Sequence, residues 1–142
     1  MKIVIGSDHA GFQLKERIKK ELIKNNSIFD VGTSSEERAD YPDYAHLAVE
    51  TYKTNNSDRI ILICGSGNGI QMAANKHKGV RCALCWNVEI VKLARQHNDA
   101  NAISLPARFL SDKEALIIVN TFLNTSFEAG RHELRKKKIN AK

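Results

Sequence analysis

Cysteine is scarce, with Cys64, Cys82 and Cys85 the only three in 142 residues. Cys82 and Cys85 have the C-x-x-C spacing of redox or zinc motifs. The segment Gly-Val-Arg-Cys-Ala-Leu-Cys-Trp around them reads as a strand, however. Residues three apart on a strand face opposite sides, roughly 10 Å apart. A disulfide needs Cα atoms within about 7 Å. No second cysteine pair completes a zinc site, so both are expected to be small core residues.

Long apolar runs are also missing, which excludes a membrane-spanning helix. The opening Met-Lys-Ile-Val-Ile-Gly-Ser-Asp reads as a first strand. It lacks the long apolar region of a signal peptide, so a cytoplasmic protein is expected. No aromatic interleaves with the basic residues of the tail, which weighs against a nucleic-acid binder. There is no internal repeat and no low-complexity stretch. One domain over residues 1–142 is expected.

What is present is a basic chain, formally +6. Such a balance draws nucleic acid, membrane or small anions. Much of the excess lies in Arg135, Lys136, Lys137 and Lys138, which can equally be a solvated surface.

Strand and helix patterns alternate five times. Strands are expected at residues 2–7, 28–31, 59–64, 80–85 and 102–105. The third is apolar almost throughout, the mark of a strand covered on both faces. A helix after the first strand runs to about Asn25, with Leu14, Ile18 and Leu22 inward. Pro42 suits the first turn of a second helix, whose apolar face is Tyr44, Ala45, Ala48, Val49 and Tyr52. A third helix runs from Ile70 to about His77. A fourth turns Ile90, Leu93, Ala94 and His97 to one side. A fifth opens on a capping box, Ser111 with Glu114, and buries Ala115, Leu116, Val119, Phe122 and Leu123. A final helix is expected from about Ser126 to 138. The sum is a three-layer α/β/α sandwich on a five-stranded, parallel, Rossmann-like sheet with a C-terminal helix.

The chain is organised around residues 63–76, where Gly65, Gly67 and Gly69 alternate with Ser66 and Asn68 after Cys64. Glycines there let backbone N–H groups turn towards an anion at a helix start. The spacing is neither G-x-G-x-x-G nor a P-loop. In open α/β sheets ligands bind beyond the carboxyl ends of the strands. Asp8 and His9 follow the first strand, Cys64 and Ser66 the third, and Arg108 the fifth, so one crevice can gather them. His97 is a candidate acid–base, or a histidine favoured by a helix C-terminus. Arg131 and Arg135, four apart on a helix, either repel on a solvated face or grip a phosphate. No His/Asp/Glu set has metal-ligand spacing, and His46, His77 and His132 lack company in the sequence. No metal is expected.

Six ordered motifs go further. They are Gly-Ser-Asp-His-Ala-Gly at 6–11, Asp-Tyr-Pro at 40–42, Cys-Gly-Ser-Gly-Asn-Gly at 64–69, Ala-Ala-Asn-Lys at 73–76, Arg-Gln-His-Asn-Asp-Ala-Asn at 95–101 and Gly-Arg-His-Glu-Leu-Arg at 130–135. Over residues 1–138 the chain resembles the type B ribose-5-phosphate isomerases. The resemblance implies interconversion of ribose 5-phosphate and ribulose 5-phosphate in the pentose phosphate pathway, without metal or cofactor. It implies a homodimer with active sites built from both chains, or a dimer of such dimers, and neither nucleic acid nor membrane as partner. By motif, Cys64 moves a proton between carbon 2 and carbon 1. Ser66 and the backbone of Gly65, Gly67, Asn68, Gly69 and Ile70 steady the enediolate. His97 with Asp8 opens the sugar ring. Asn98 and Tyr41 bind hydroxyls. His9, Arg108, Arg131 and Arg135 hold the phosphate, some of them from the partner chain. The helix over 126–138 contributes to the dimer and the phosphate site.

One departure narrows the chemistry. Some members replace the cysteine and place a glutamate just after the third glycine. Here Ile70 stands there and cannot take a proton, so Cys64 must be the base. Substrate size stays open, because relatives act on allose 6-phosphate or galactose 6-phosphate. The rivals are a non-catalytic anion-binding α/β module, which has no need of Cys64 or His97, and a basic nucleic-acid binder.

Overall fold

A computed structural model describes residues 1–139. The last three residues of the expected domain lie outside the described residues. Strands β1 (Lys2–Ser7), β2 (Ser27–Asp30), β3 (Arg59–Cys64), β4 (Cys82–Leu84) and β5 (Ala102–Pro106) form one sheet in the order β2-β1-β3-β5-β4. Every pairing is parallel. Helices α1 (Phe12–Leu22), α2 (Tyr41–Thr54), α3 (Asn68–Ala74), α4 (Val88–Asn98), α5 (Asp112–Asn124) and α6 (Arg131–Ile139) pack around it.

The sheet separates two cores. Leu14, Ile18 and Leu22 of α1, Val91 of α4 and Val119 and Phe122 of α5 pack on one face, around Ile3, Ile5, Ile61 and Ile63. Ala45, Ala48 and Val49 of α2 and Ile70 and Ala74 of α3 pack on the other, around Val4, Ile60 and Leu62. Strand β3 is buried from Ile60 to Cys64, as its unbroken apolar run requires. The capping box of Ser111 and Glu114 is formed in full. Cys82 and Cys85 are buried and unpaired; loss of hydration pushes the Cys85 thiol up to about 12, so it is inert.

Several boundaries differ from expectation, each for a local reason. α1 stops at Leu22, three residues early, where the Asn26 side chain bonds the Leu22 carbonyl. β2 is displaced by one residue because the Asp30 carboxylate turns the chain by accepting from the Gly32 N–H, 3.0 Å. α3 closes at Ala74 in three-residue turns, Lys76 N to Ala73 O and His77 N to Ala74 O. β4 is only three residues long. On its open edge the Asn75 side chain bonds both the N–H (2.8 Å) and the carbonyl (2.9 Å) of Cys82 and so stands in for a further strand. Leu93 is 44% exposed rather than inward, and Val91 and Ala94 face the core in its place. α6 begins at Arg131, not Ser126. Glu128 N bonds Gln96 O, 3.0 Å, and Ala129 (φ 57) and Gly130 (φ 53) turn the chain through the left-handed region.

Candidate active site

Strands β1 and β3 lie side by side, yet the chain leaves them towards opposite faces, to α1 and to α3. A crevice opens where the connections part in this way. Asp8 sits at its edge, 6% exposed. Its backbone N–H donates to Ile63 O (3.3 Å) and its Oδ1 accepts from the Gly11 N–H (3.0 Å), closing the tight turn His9–Gly11. The Nδ1 of His9 lies 3.0 Å from Ala39 O and 3.2 Å from Ala39 N. One ring nitrogen is thereby committed to the loop before α2 in either tautomer, and Nε2 is left for a ligand.

Across the crevice Cys64 ends β3, 3% exposed, with Sγ accepting from the Gly67 N–H at 3.2 Å. Gly67 caps α3 in the left-handed region (φ 75), and a Cβ there would stand 2.4 Å from Cδ1 of Leu84. Ser66 is exposed, and its Oγ accepts from the Asn68 N–H at 3.4 Å. Ile70 is wholly buried in the core, and its side chain offers the crevice no proton acceptor. At Gly69 a Cβ would meet Cζ of Tyr41 at 2.4 Å, and at Gly65 it would meet the Arg108 guanidinium at 3.2 Å. Bare backbone thus admits the phenol and the guanidinium to the same loop. The Arg108 N–H also donates to Gly65 O, 3.1 Å. One chain therefore assembles Asp8, His9, Tyr41, the loop 64–70 and Arg108.

His97, Asn98, Arg131 and Arg135 lie elsewhere. α4 returns along the sheet, and the residues after it meet the starts of the strands. Ile60 N donates to Asn101 O (3.0 Å), and Arg81 Nε donates to the carbonyls of Asn98 and Asp99, each at 3.0 Å. A strand of five or six residues spans about 17–20 Å. Within one chain, then, Asp8 is not beside His97, and the expected pairing of the two requires a second chain. A cavity of about 490 Å³ opens at this far end, lined by Lys76, Lys78, Arg81 and Asn98.

The far end also holds a cluster that sequence reading missed. His132, expected to stand apart, stacks on His97 with ring centroids 4.1 Å apart and planes 8° apart. Oε2 of Glu128 lies 3.9 Å from Nε2 of His97 and 4.0 Å from Nε2 of His132. Arg131 Nε donates to Nε2 of His132 at 3.3 Å. Loss of hydration, then His97, Arg131 and Arg135, push the His132 imidazole below its ordinary value, against the pull of Glu128. The i, i+4 spacing of Glu128 and His132 was the available signal. The nearby turn hid its meaning. Among the described residues these three are the one group whose donor atoms sit close enough to suggest a cation. The rings argue against it. The near-parallel rings stack with centroids 4.1 Å apart, so their in-plane nitrogen lone pairs run side by side and do not converge on one point. Arg131 also occupies the lone pair of His132.

Residues 3–139 match the family model described as ribose/galactose isomerase. The chain belongs to the ribose/galactose isomerase family. Among members of that family, it is 45% identical over 139 residues to the probable ribose-5-phosphate isomerase B of Mycoplasma pneumoniae, covering 96% of this chain and 91% of that one. It is 40% identical to ribose-5-phosphate isomerase B of Escherichia coli, covering 99% and 95%. Two solved structures share the fold. A ribose 5-phosphate isomerase of Thermotoga maritima superposes with a TM-score of 0.96 at 48% identity, covering 99% and 98%. Ribose-5-phosphate isomerase B of Mycoplasma genitalium, with bound ribulose-5-phosphate, gives 0.93 at 44%, covering 99% and 94%. No helix among the described residues is long and apolar enough to cross a membrane.

Proposed function

We propose that this protein is an aldose–ketose isomerase that interconverts ribose 5-phosphate and ribulose 5-phosphate within the pentose phosphate pathway, as one domain in the cytoplasm. The observation that carries the reading is the seat of Cys64. Its sulfur lies at the carboxyl end of β3, beside the crevice, under the Gly67 N–H. The bound ribulose-5-phosphate of the Mycoplasma genitalium relative supports the same substrate class.

Cys64, as thiolate, takes the proton from carbon 2 of the open-chain aldose. The released electron pair forms the C1–C2 double bond, and the carbonyl π electrons move to O1. Returning the proton to carbon 1 while the proton on O2 passes to O1 leaves the ketose. Ser66 and the N–H groups of Gly67, Asn68, Gly69 and Ile70 face the developing oxyanion, a contribution of about 3–4 kcal/mol for one well-placed donor. Enolisation of this kind draws on a base and N–H donors and calls for no metal or cofactor. Ring opening belongs to His97, which passes a proton to the ring oxygen as its bond to carbon 1 breaks, while the carbon-1 hydroxyl gives its proton to Asp8 opposite. Tyr41 and Asn98 hold hydroxyls. His9, Arg108, Arg131 and Arg135 hold the phosphate. Because these residues lie at two ends of the sheet, the site is shared by two chains in a homodimer, alone or paired with a second dimer. Each crevice receives the partner's far end, α6 included.

A panel of five- and six-carbon aldose phosphates tests the reading. Turnover of ribose 5-phosphate, unaffected by a chelator, is expected. Faster turnover of a six-carbon phosphate would move the assignment to that sugar. Failure on every member would leave a non-catalytic anion-binding module.

A further inference from the structure

His132 has no part in the chemistry assigned so far, yet it is only 4% exposed and lays a flat surface against His97. Its Nε2 accepts from Arg131, so its own proton sits on Nδ1 and the ring is neutral. A neutral aromatic face is a favourable neighbour for an imidazolium. Glu128 closes the arrangement from the edge, its carboxylate 3.9 Å from Nε2 of His97 and able to close up when that nitrogen is protonated. The segment is held in place independently of these side chains. Glu128 N bonds Gln96 O, the residue before His97, and the left-handed pair Ala129–Gly130 returns the chain so that α6 starts against α4. A bracket is therefore fastened to the very turn that carries His97.

We propose that His132 is a positioning residue for ring opening. Its stack fixes the plane of His97, and with Glu128 it steadies the protonated ring that hands its proton to the ring oxygen of the cyclic sugar phosphate. The inference rests on the isomerase reading and on the role of His97 within it. It makes ring opening, and not the carbon-to-carbon proton transfer, the step that depends on His132.

Two measurements on the full-length protein separate these steps. Turnover of ribose 5-phosphate, which is cyclic, needs both. Ribulose 5-phosphate has its C5 hydroxyl esterified and cannot close a five-membered ring, so exchange of its carbon-1 proton with deuterated solvent, followed by NMR, needs only the second. His132→Ala is expected to slow turnover about tenfold to a hundredfold, the scale of a misplaced catalytic group. Exchange should stay within about twofold of the unaltered protein. His132→Phe, which restores a flat neutral ring, should recover most of the turnover. Glu128→Gln should slow turnover several-fold and spare exchange. Parallel loss of turnover and exchange, or no loss of either in His132→Ala, overturns the proposal. If His132→Ala fails to fold by circular dichroism, the Phe and Glu128→Gln variants decide by the same criterion. An unaltered protein that neither turns over nor exchanges sugar phosphates overturns the isomerase reading itself, a result distinct from any of these.

Discussion

At the carboxyl ends of the strands the chain is fastened by close approach to bare backbone. The Tyr41 ring lies on Gly69, the Arg108 guanidinium on Gly65, and Leu84 fills the space beside Gly67. At the opposite end side chains do the fastening. Arg95 donates to Thr125 O (3.0 Å), Ala100 O (2.7 Å) and the Asp99 carboxylate (2.9 Å). Arg81 and Lys136 converge on the same carboxylate. The first construction gathers backbone N–H groups around a buried sulfur, one of which, that of Gly67, donates to it. The second ties its arginines to carboxylate and backbone carbonyls and presents a histidine pair. On the proposed mechanism, proton transfer between carbons and ring opening ask for these different things at different ends. That mechanism then needs two chains set end to opposite end.

The sharpest break of this division is at Cys64. In Cys64→Ala, turnover and exchange at carbon 1 of ribulose 5-phosphate should both fall by about a thousandfold or more, the combined worth of a base and its site. Circular dichroism and phosphate binding should be kept, since the small side chain is replaced by one of similar volume. Exchange near the unaltered rate would move the base elsewhere in the crevice.

His97→Asn probes the other end and should divide the two readouts. Ribose 5-phosphate turnover is expected to fall about a hundredfold, within the range for one acid–base group. Exchange into ribulose 5-phosphate should persist. Equal loss of both would place His97 in proton transfer and erase the functional difference between the ends.

The first end was far more legible in the sequence than the second. The unbroken apolar run of β3 and the alternating glycines are local signals, and the structure puts the expected strand and helix start there. The partners of those glycines, Tyr41 and Arg108, come from distant segments, yet each follows a strand or opens a helix at the same edge. At the far end local pattern misled. Residues 126–130 read as helix, but the bond from Glu128 to Gln96 and two left-handed residues make a turn. His132 meets His97 across 35 positions of sequence, a contact that no periodicity announces. Leu93 followed helix spacing and still faces out, because Arg95 takes up interior space beside Val91 and Ala94.

Subunit exchange tests whether the ends meet across chains. Arg135→Ala should raise KM about tenfold and lower kcat less, because a phosphate grip stabilises bound substrate and transition state alike. Mixing Arg135→Ala with Cys64→Ala chains under verified exchange should restore one intact crevice per heterodimer. Activity well above that of either parent is expected. A mixture that never exceeds the Arg135→Ala parent's share would put both residues in one chain's site and refute the shared crevice.

The smallest expected effect compares the ion networks of the two ends. Burial works against charge on Asp30 and on Asp99. Hydrogen bonds from Lys15 and Lys19 outweigh it at Asp30, and those from Arg95 outweigh it at Asp99, so both carboxyls are held below their ordinary value. A group whose pKa is lower folded than unfolded contributes stability above the unfolded value, about 3.9 for aspartate, and loses it as pH falls through the folded value. The melting temperature should therefore drop as pH is taken below about 4. The ends should differ in how much each carboxylate matters. Glu16 also contacts Lys15 (2.6 Å) and Lys19 (2.7 Å), so Asp30→Asn leaves those lysines a charged partner. Asp99 is the one carboxylate that Arg95 and Arg81 reach among the described residues. Asp99→Asn should accordingly cost about 1.5–3 kcal/mol at pH 7, the range for a hydrogen bond to a charged group, and flatten the acid fall. Asp30→Asn should cost less and flatten it less. Thermal melts from pH 7 to pH 2 decide, and equal losses in the two variants would show that the spare carboxylate at Glu16 does not compensate.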